Sequence, residues 1–167
     1  MNTSSLDKTE LRSWLRLSLT PGVGNDAARR LLACFGSPQA VFAQTETALQ
    51  QLVTAAQAQA LTREPHELAV HVVRTQQWLT ESDDGQSMGI RHAVWTLGDA
   101  HYPSALLQLA DPPLMLFVRG QTEGQLGHAV AVVGSRNPTP QGAQTAEQFS
   151  EALSAAGLCV VSGLALG

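Results

Sequence analysis

Two short apolar runs, each ending in a polar loop with a glycine and joined by one helical stretch, constrain this chain more than any other feature. Ala129-Val130-Ala131-Val132-Val133 leads into Gly134-Ser135-Arg136-Asn137-Pro138-Thr139. Gln141 to Ala156 reads as a helix. Leu158 to Val161 reads as a second strand, followed by Ser162-Gly163-Leu164-Ala165-Leu166-Gly167. A strand, a crossover helix and a second strand form a parallel pair. In parallel α/β sheets the loops at the carboxyl ends of the strands share one edge, and ligands bind there. Arg136 is the only Lys or Arg between Gly134 and Thr139. A fixed guanidinium beside the N–H groups of a helix start suits a phosphate. The plain alternative is an ordinary strand-to-helix turn with an exposed arginine. Thr139-Pro140 predicts an N-cap followed by proline at the first helical position. The loop is not the Gly-x-Gly-x-x-Gly dinucleotide fingerprint, because its next glycine is Gly142.

The first half of the chain follows a different rule. Leu11, Trp14, Leu15 and Leu19 form one helical stripe, interrupted by Thr20-Pro21-Gly22-Val23-Gly24. Ala28, Leu31, Leu32 and Phe35 repeat the helical spacing. Gly36 is placed to end that helix and Ser37-Pro38 to open another. Ala48, Leu49, Leu52 and Val53 predict a further short helix, and Pro65 through Leu79 a longer one. Pro21-Gly22-Val23-Gly24 before an Ala-Arg-rich helix is similar to a helix-hairpin-helix element, in which Gly22, Gly24 and Arg29 would meet a DNA phosphate. The alternative is a bundle corner where glycine only permits the turn. Ser82 to Gly89 reads as a linker. Beyond it, Ala93 to Leu97 and Leu114 to Val118 read as strands, with a short helix at Pro103 to Leu109 between them.

With 44% hydrophobic and 14% charged residues over 167 positions, the chain is globular. A net charge of -4 excludes a uniformly basic nucleic-acid binder but not a local basic patch. Lys8 is the single lysine, so the cations are almost all arginine. Cys34 and Cys159 lie far apart in apolar runs and read as buried thiols. Five scattered histidines show no metal-ligand spacing, and Asp99 and His101 lack a third catalytic partner. No run is long enough to span a membrane, and no signal peptide opens the sequence. The bacterial or archaeal cytosol is the expected location.

Several motifs in order carry a resemblance: Tyr102-Pro103, Leu106, Asp111-Pro112-Pro113, Leu116-Phe117-Val118-Arg119-Gly120, Val132-Val133-Gly134-Ser135-Arg136, Gly142, Gly157 and Val160-Val161-Ser162-Gly163-Leu164-Ala165 with Gly167. Residues 93–167 resemble the DprA/Smf family of DNA-processing proteins, and the helical N-terminal region is similar to the domain that precedes the Rossmann-like domain there. The resemblance implies single-stranded DNA binding, protection of incoming DNA in natural transformation, and loading of a RecA-type recombinase, by a homodimer without enzymatic activity or cofactor. It also implies that Arg136 contacts a DNA phosphate, that Gly134, Ser135 and Asn137 shape its loop, and that Ser162 and Gly163 line the same edge. The family continues beyond the point matching Gly167, so the resemblance further implies an N-terminal fragment.

The expected fold class is therefore mixed α/β: a small helical, SAM-like or helix-hairpin-helix-like domain at 1–81, a linker at 82–89, and a truncated, extended Rossmann-like parallel sheet at 90–167. The rival function is a Rossmann-like phosphoribohydrolase. That enzyme type needs a Pro-Gly-Gly-x-Gly-Thr loop and a nearby glutamate, which the sequence does not show. A helical interaction module with a folded remnant is a third reading. The DNA length bound, the recombinase contact, and whether this piece binds or dimerises alone are open at this stage.

Overall fold

The computed structural model describes residues 6–81, 91–120 and 127–163. The fold is mixed α/β, as expected. The expected linker at 82–89 lies outside the described residues, as does Leu164. The chain divides into two compact units, Met1–Thr122 and Glu123–Gly167.

Short, individually capped helices build the first unit. Asp7 Oδ1 accepts from Glu10 N at 2.7 Å and opens α1, Lys8–Leu19. That helix buries Leu11, Trp14, Leu15 and Leu17. Thr20 to Gly24 turns the chain, with Val23 N donating to Thr20 O at 3.1 Å. Gly22 sits at φ +76°, where a residue with a Cβ is strained, so this glycine is dictated by the turn itself. The second helix, α2, runs Asn25–Phe35 and buries Ala27, Ala28 and Leu31. Gly36 ends it by donating its N–H to Leu32 O at 2.7 Å. Ser37 caps α3, Pro38–Phe42, and Thr45 caps α4, Glu46–Leu49. The final helix of the unit, α6, is Leu68–Thr80. It starts three residues after Pro65, whose carbonyl accepts from Leu68 N in a preceding turn.

One helix, α5, Ala55–Thr62, was not read from the sequence. Its alanines and glutamines leave no apolar stripe to follow. Its signal is the capping box: Thr54 Oγ1 accepts from Gln57 N while Gln57 Oε1 accepts from Thr54 N. The expected helix through Val53 is shorter than its apolar pattern. It stops at Leu49, and Leu52 and Val53 form the following turn, both bonding back to Leu49 O.

The same unit contains a β-hairpin. Strand β1, Arg91–Thr96, pairs antiparallel with β2, Met115–Gly120, in the register Arg91↔Gly120 through Thr96↔Met115. The sequence reading assigned this region to a parallel sheet. The antiparallel pairing follows from the connection, which holds a single five-residue 3-10 helix, Ser104–Gln108, and no α-helix to carry the chain back to the starting edge. The Tyr102 hydroxyl donates to Pro113 O at 2.7 Å and ties the connection together. Tyr102 itself is buried, which pushes its pKa up.

Two apolar clusters join the hairpin to the helices. Val94 packs with Leu11, Leu15, Leu68 and Val72. Leu114 packs in the larger cluster with Trp14, Leu17, Leu31, Val41, Leu49 and Leu61. The first compact unit therefore includes the hairpin, whereas the expected domains grouped residues 90–167.

The second unit is a parallel strand–helix–strand element. Strand β3, Ala129–Ala131, pairs with β4, Cys159–Val161, in the register Ala129↔Cys159, Val130↔Val160 and Ala131↔Val161. Helix α7, Pro140–Ala155, makes the crossover. Val130, Val132 and Val160 are half-buried, while Val133 and Phe149 are well exposed. The cysteines depart from expectation: Cys34 is exposed and Cys159 half-buried. Cys34 stands beside Ala33 in the exposed last turn of α2, so its apolar neighbours in sequence do not bury it.

Candidate functional site

In the second unit the in-register parallel pairing sends the residues after β3 and after β4 out of the same sheet edge. Val132 N donates to Val161 O at 2.9 Å and extends the pairing to that edge. Gly134, Ser135, Arg136 and Asn137 follow on one side, and Ser162 and Gly163 on the other. The six residues expected at this site thus come from two adjacent strand ends.

The loop is locally shaped by polar bonds. Ser135 Oγ accepts from Asn137 N at 3.1 Å. Thr139 Oγ1 accepts from Gly142 N at 3.1 Å, and Pro140 occupies the first turn of α7, as the sequence predicted. Arg136 is exposed and, among the described residues, forms no ion pair. Gly134 and Gly163 hold ordinary negative-φ backbone, and nothing lies within 4 Å of where a Cβ would stand on either. What they contribute is open space beside the loop. The chemistry on offer is one unengaged guanidinium, a cluster of small polar groups and the positive end of a 16-residue helix. The group has no acid–base pair.

The other expected residues lie in the first unit. Gly22 forms the left-handed turn described above, and its carbonyl accepts from Gln57 Nε2 at 2.8 Å. Gly24 is the N-cap of α2, with no side-chain bond to the first-turn amides. Arg29 is engaged within the fold. Its Nη1 lies 2.7 Å from Asp111 Oδ1 and 3.1 Å from Pro112 O, and Asn25 Nδ2 donates to Asp111 Oδ2 at 3.0 Å. Asp111 opens the Asp-Pro-Pro motif, so the sequence reading saw both ends of this contact without joining them.

Hydrogen bonds from Arg29, and then from Asn25, hold the Asp111 carboxyl below its ordinary value. A lowered folded pKa contributes stability above the unfolded carboxylate pKa of about 4. That contribution is lost as pH falls through the lowered folded value. Asp111→Asn is therefore expected to melt below the parent chain at neutral pH. The gap should close as acid protonates Asp111 in the parent. Melting curves from pH 7 downward check this, and a gap that persists or widens in acid would contradict it.

The structure also joins two residues that the sequence reading left apart. Asp99 Oδ1 accepts from His101 N at 2.8 Å and lies 3.0 Å from His101 Nδ1. His101 stacks against Trp95 with ring centroids 6.0 Å apart. No third group completes an acid–base relay there among the described residues. No cluster of His, Cys, Asp or Glu among them fits a metal ion. His92 serves packing: it stacks on Trp78 at 4.2 Å, and its Nδ1 meets Trp78 O.

A parallel strand–helix–strand unit within a mixed α/β chain is consistent with part of a Rossmann-like fold. Residues 93–167 match the family described as DNA recombination-mediator protein A. The chain is 36% identical over 72 residues to the DNA processing protein DprA of Bacillus subtilis, a segment covering 42% of this chain and 24% of that protein. It is 36% identical over 77 residues to Protein Smf of Synechocystis sp., covering 43% and 19%. It is 34% identical over 74 residues to Protein Smf of Borreliella burgdorferi, covering 44% and 24%. The aligned segment thus spans about a quarter or less of each relative. Residues 93–167 are thus similar to the DprA/Smf proteins. No helix among the described residues is long and apolar enough to cross a membrane.

Proposed function

We propose that the loop after β3 binds the phosphodiester backbone of single-stranded DNA, with Arg136 as its principal cation. The single observation that carries this reading is an exposed, unengaged arginine at the shared edge of two parallel strands, in a segment of a recombination-mediator family. Gly134, Ser135 and Asn137 shape the loop, and Ser162 and Gly163 flank it. Gly22, Gly24 and Arg29 belong to the same reading as a second DNA contact. In the whole protein this site serves a non-enzymatic, cytoplasmic function: protecting incoming strands and delivering them to a RecA-type recombinase, as a homodimer. Phosphate contacts of this kind position a strand without reading its sequence.

Arg136→Ala is expected to weaken oligonucleotide binding several-fold, about equally for all sequences, and to reduce the salt slope by roughly 1. Fluorescence anisotropy over a salt series measures both quantities. Unchanged affinity and unchanged salt dependence would remove Arg136 from the site. Sustained release of free base from nucleoside monophosphates, lost in the same variant, would favour the phosphoribohydrolase reading instead.

A further inference from the structure

We propose that Asn25 and Arg29 form a phosphodiester site that the chain's own Asp111 occupies, so that the DNA contact of the helical unit is closed by an internal carboxylate. This deepens the reading of Arg29 as a second DNA contact and rests on it. It does not depend on Arg136.

The first support is convergence. Asn25 and Arg29 are one helical turn apart on α2, and both donate to the same carboxylate, one to each oxygen. An arginine fork and an amide placed this way match two oxygens of a carboxylate or two of a phosphate. The second support is an asymmetry in exposure. The Arg29 side chain is 22% exposed and that of Asp111 63%. The cation is fixed in the fold, and its anion reaches in from the solvent side, which is the side from which a phosphate arrives. The third is that the other nearby acid, Asp26, is shared with Arg30. Asp26 lies 3.9 Å from Arg29 but closer, at 3.3 Å, to Arg30. The last is access. Nothing stands within 4 Å of the Cβ positions of Gly22 and Gly24, so the surface leading to Asn25 is open to an approaching backbone.

When Asp111 swings away, Asn25 and Arg29 lose the two hydrogen bonds they make to its carboxylate, and a phosphodiester oxygen pair restores both. No bond is made or broken covalently. The exchange is one anion for another, and each phosphate gained by an arginine releases counterions and steepens the salt dependence.

The test is anisotropy of a labelled oligonucleotide, single-stranded and double-stranded in separate arms, with the intact chain over a salt series. Asp111→Asn and Asp111→Ser, each checked for cooperative melting, are expected to bind about three- to tenfold more tightly at low salt, with the salt slope steeper by about 1. The gain should vanish when Arg29→Gln is added. It should be absent in Glu46→Gln, which removes an equal charge from α4. It should persist in an Arg136→Ala background, which separates this site from the loop after β3. The proposal is overturned if both Asp111 variants fold and bind no more tightly than the parent. It is equally overturned if the gain survives Arg29→Gln or if Glu46→Gln reproduces it. A gain confined to the double-stranded arm would keep the site but change its ligand from single-stranded to duplex DNA.

Discussion

Leu114→Ala is expected to destabilise the first unit by about 2–5 kcal/mol. Leu114 is 4% exposed and sits in one cluster with Trp14, Leu17, Leu31, Val41, Leu49 and Leu61, all from helices distant in sequence. Removing its isobutyl group forfeits the transfer free energy of the side chain. It also leaves a cavity in a cluster to which α1 to α5 all contribute, and such a site relaxes only partially. The effect should appear in the helical circular-dichroism signal, although Leu114 itself lies just before a strand. Urea unfolding of the intact chain, followed at a helical wavelength, measures it. A loss confined to the hairpin, with the helical transition unmoved, would mean that the two parts fold separately.

The second large effect concerns where the folding unit ends. A chain covering 6–120 is expected to unfold in one cooperative transition, whereas a chain ending at 81 is expected to lose that transition or melt far lower. Ending at 81 removes Val94 and Leu114 from the two clusters and strips Arg29 of its carboxylate. Two buried aliphatic side chains contribute about 1.5–3 kcal/mol each. Their loss, with the cavities it leaves, is comparable to the whole stability of a small domain, roughly 5–15 kcal/mol. Equal midpoints and equal sharpness for the two chains would restore a helical domain that ends near 81.

What the sequence makes legible here is mostly local. Gly36, Ser37-Pro38 and Thr139-Pro140 announce helix boundaries because capping acts within three or four residues, and each was found where expected. Apolar spacing revealed α1, α2 and α6. It missed α5, whose alanines carry no stripe and whose start is written only in Thr54 and Gln57. Strand existence was legible, but pairing sense was not. The antiparallel hairpin depends on what the connection lacks, and apolar patterning does not report that. The loop at 134–137 was readable because one strand end and one helix start fall side by side in the chain. The Arg29–Asp111 contact spans 82 residues, and neither residue type names the other as its partner. Cys34 failed for the same reason, since helix faces are decided by three-dimensional neighbours rather than by adjacent letters.

The cap of α7 carries one more consequence. A Cβ added at Gly142 would stand 3.2 Å from Thr139 Oγ1, the atom that receives the Gly142 N–H. A side chain at 142 would ask Thr139 Oγ1 to give by a few tenths of an ångström. The caps of α1, α3, α4 and α5 hold the same bond with Glu10, Ala40, Ala48 and Gln57 at that position, so the clasp itself does not require glycine. Mutational tolerance along the candidate loop is therefore graded: ample at Gly134, where space is open, and narrower at Gly142, where the cap must adjust.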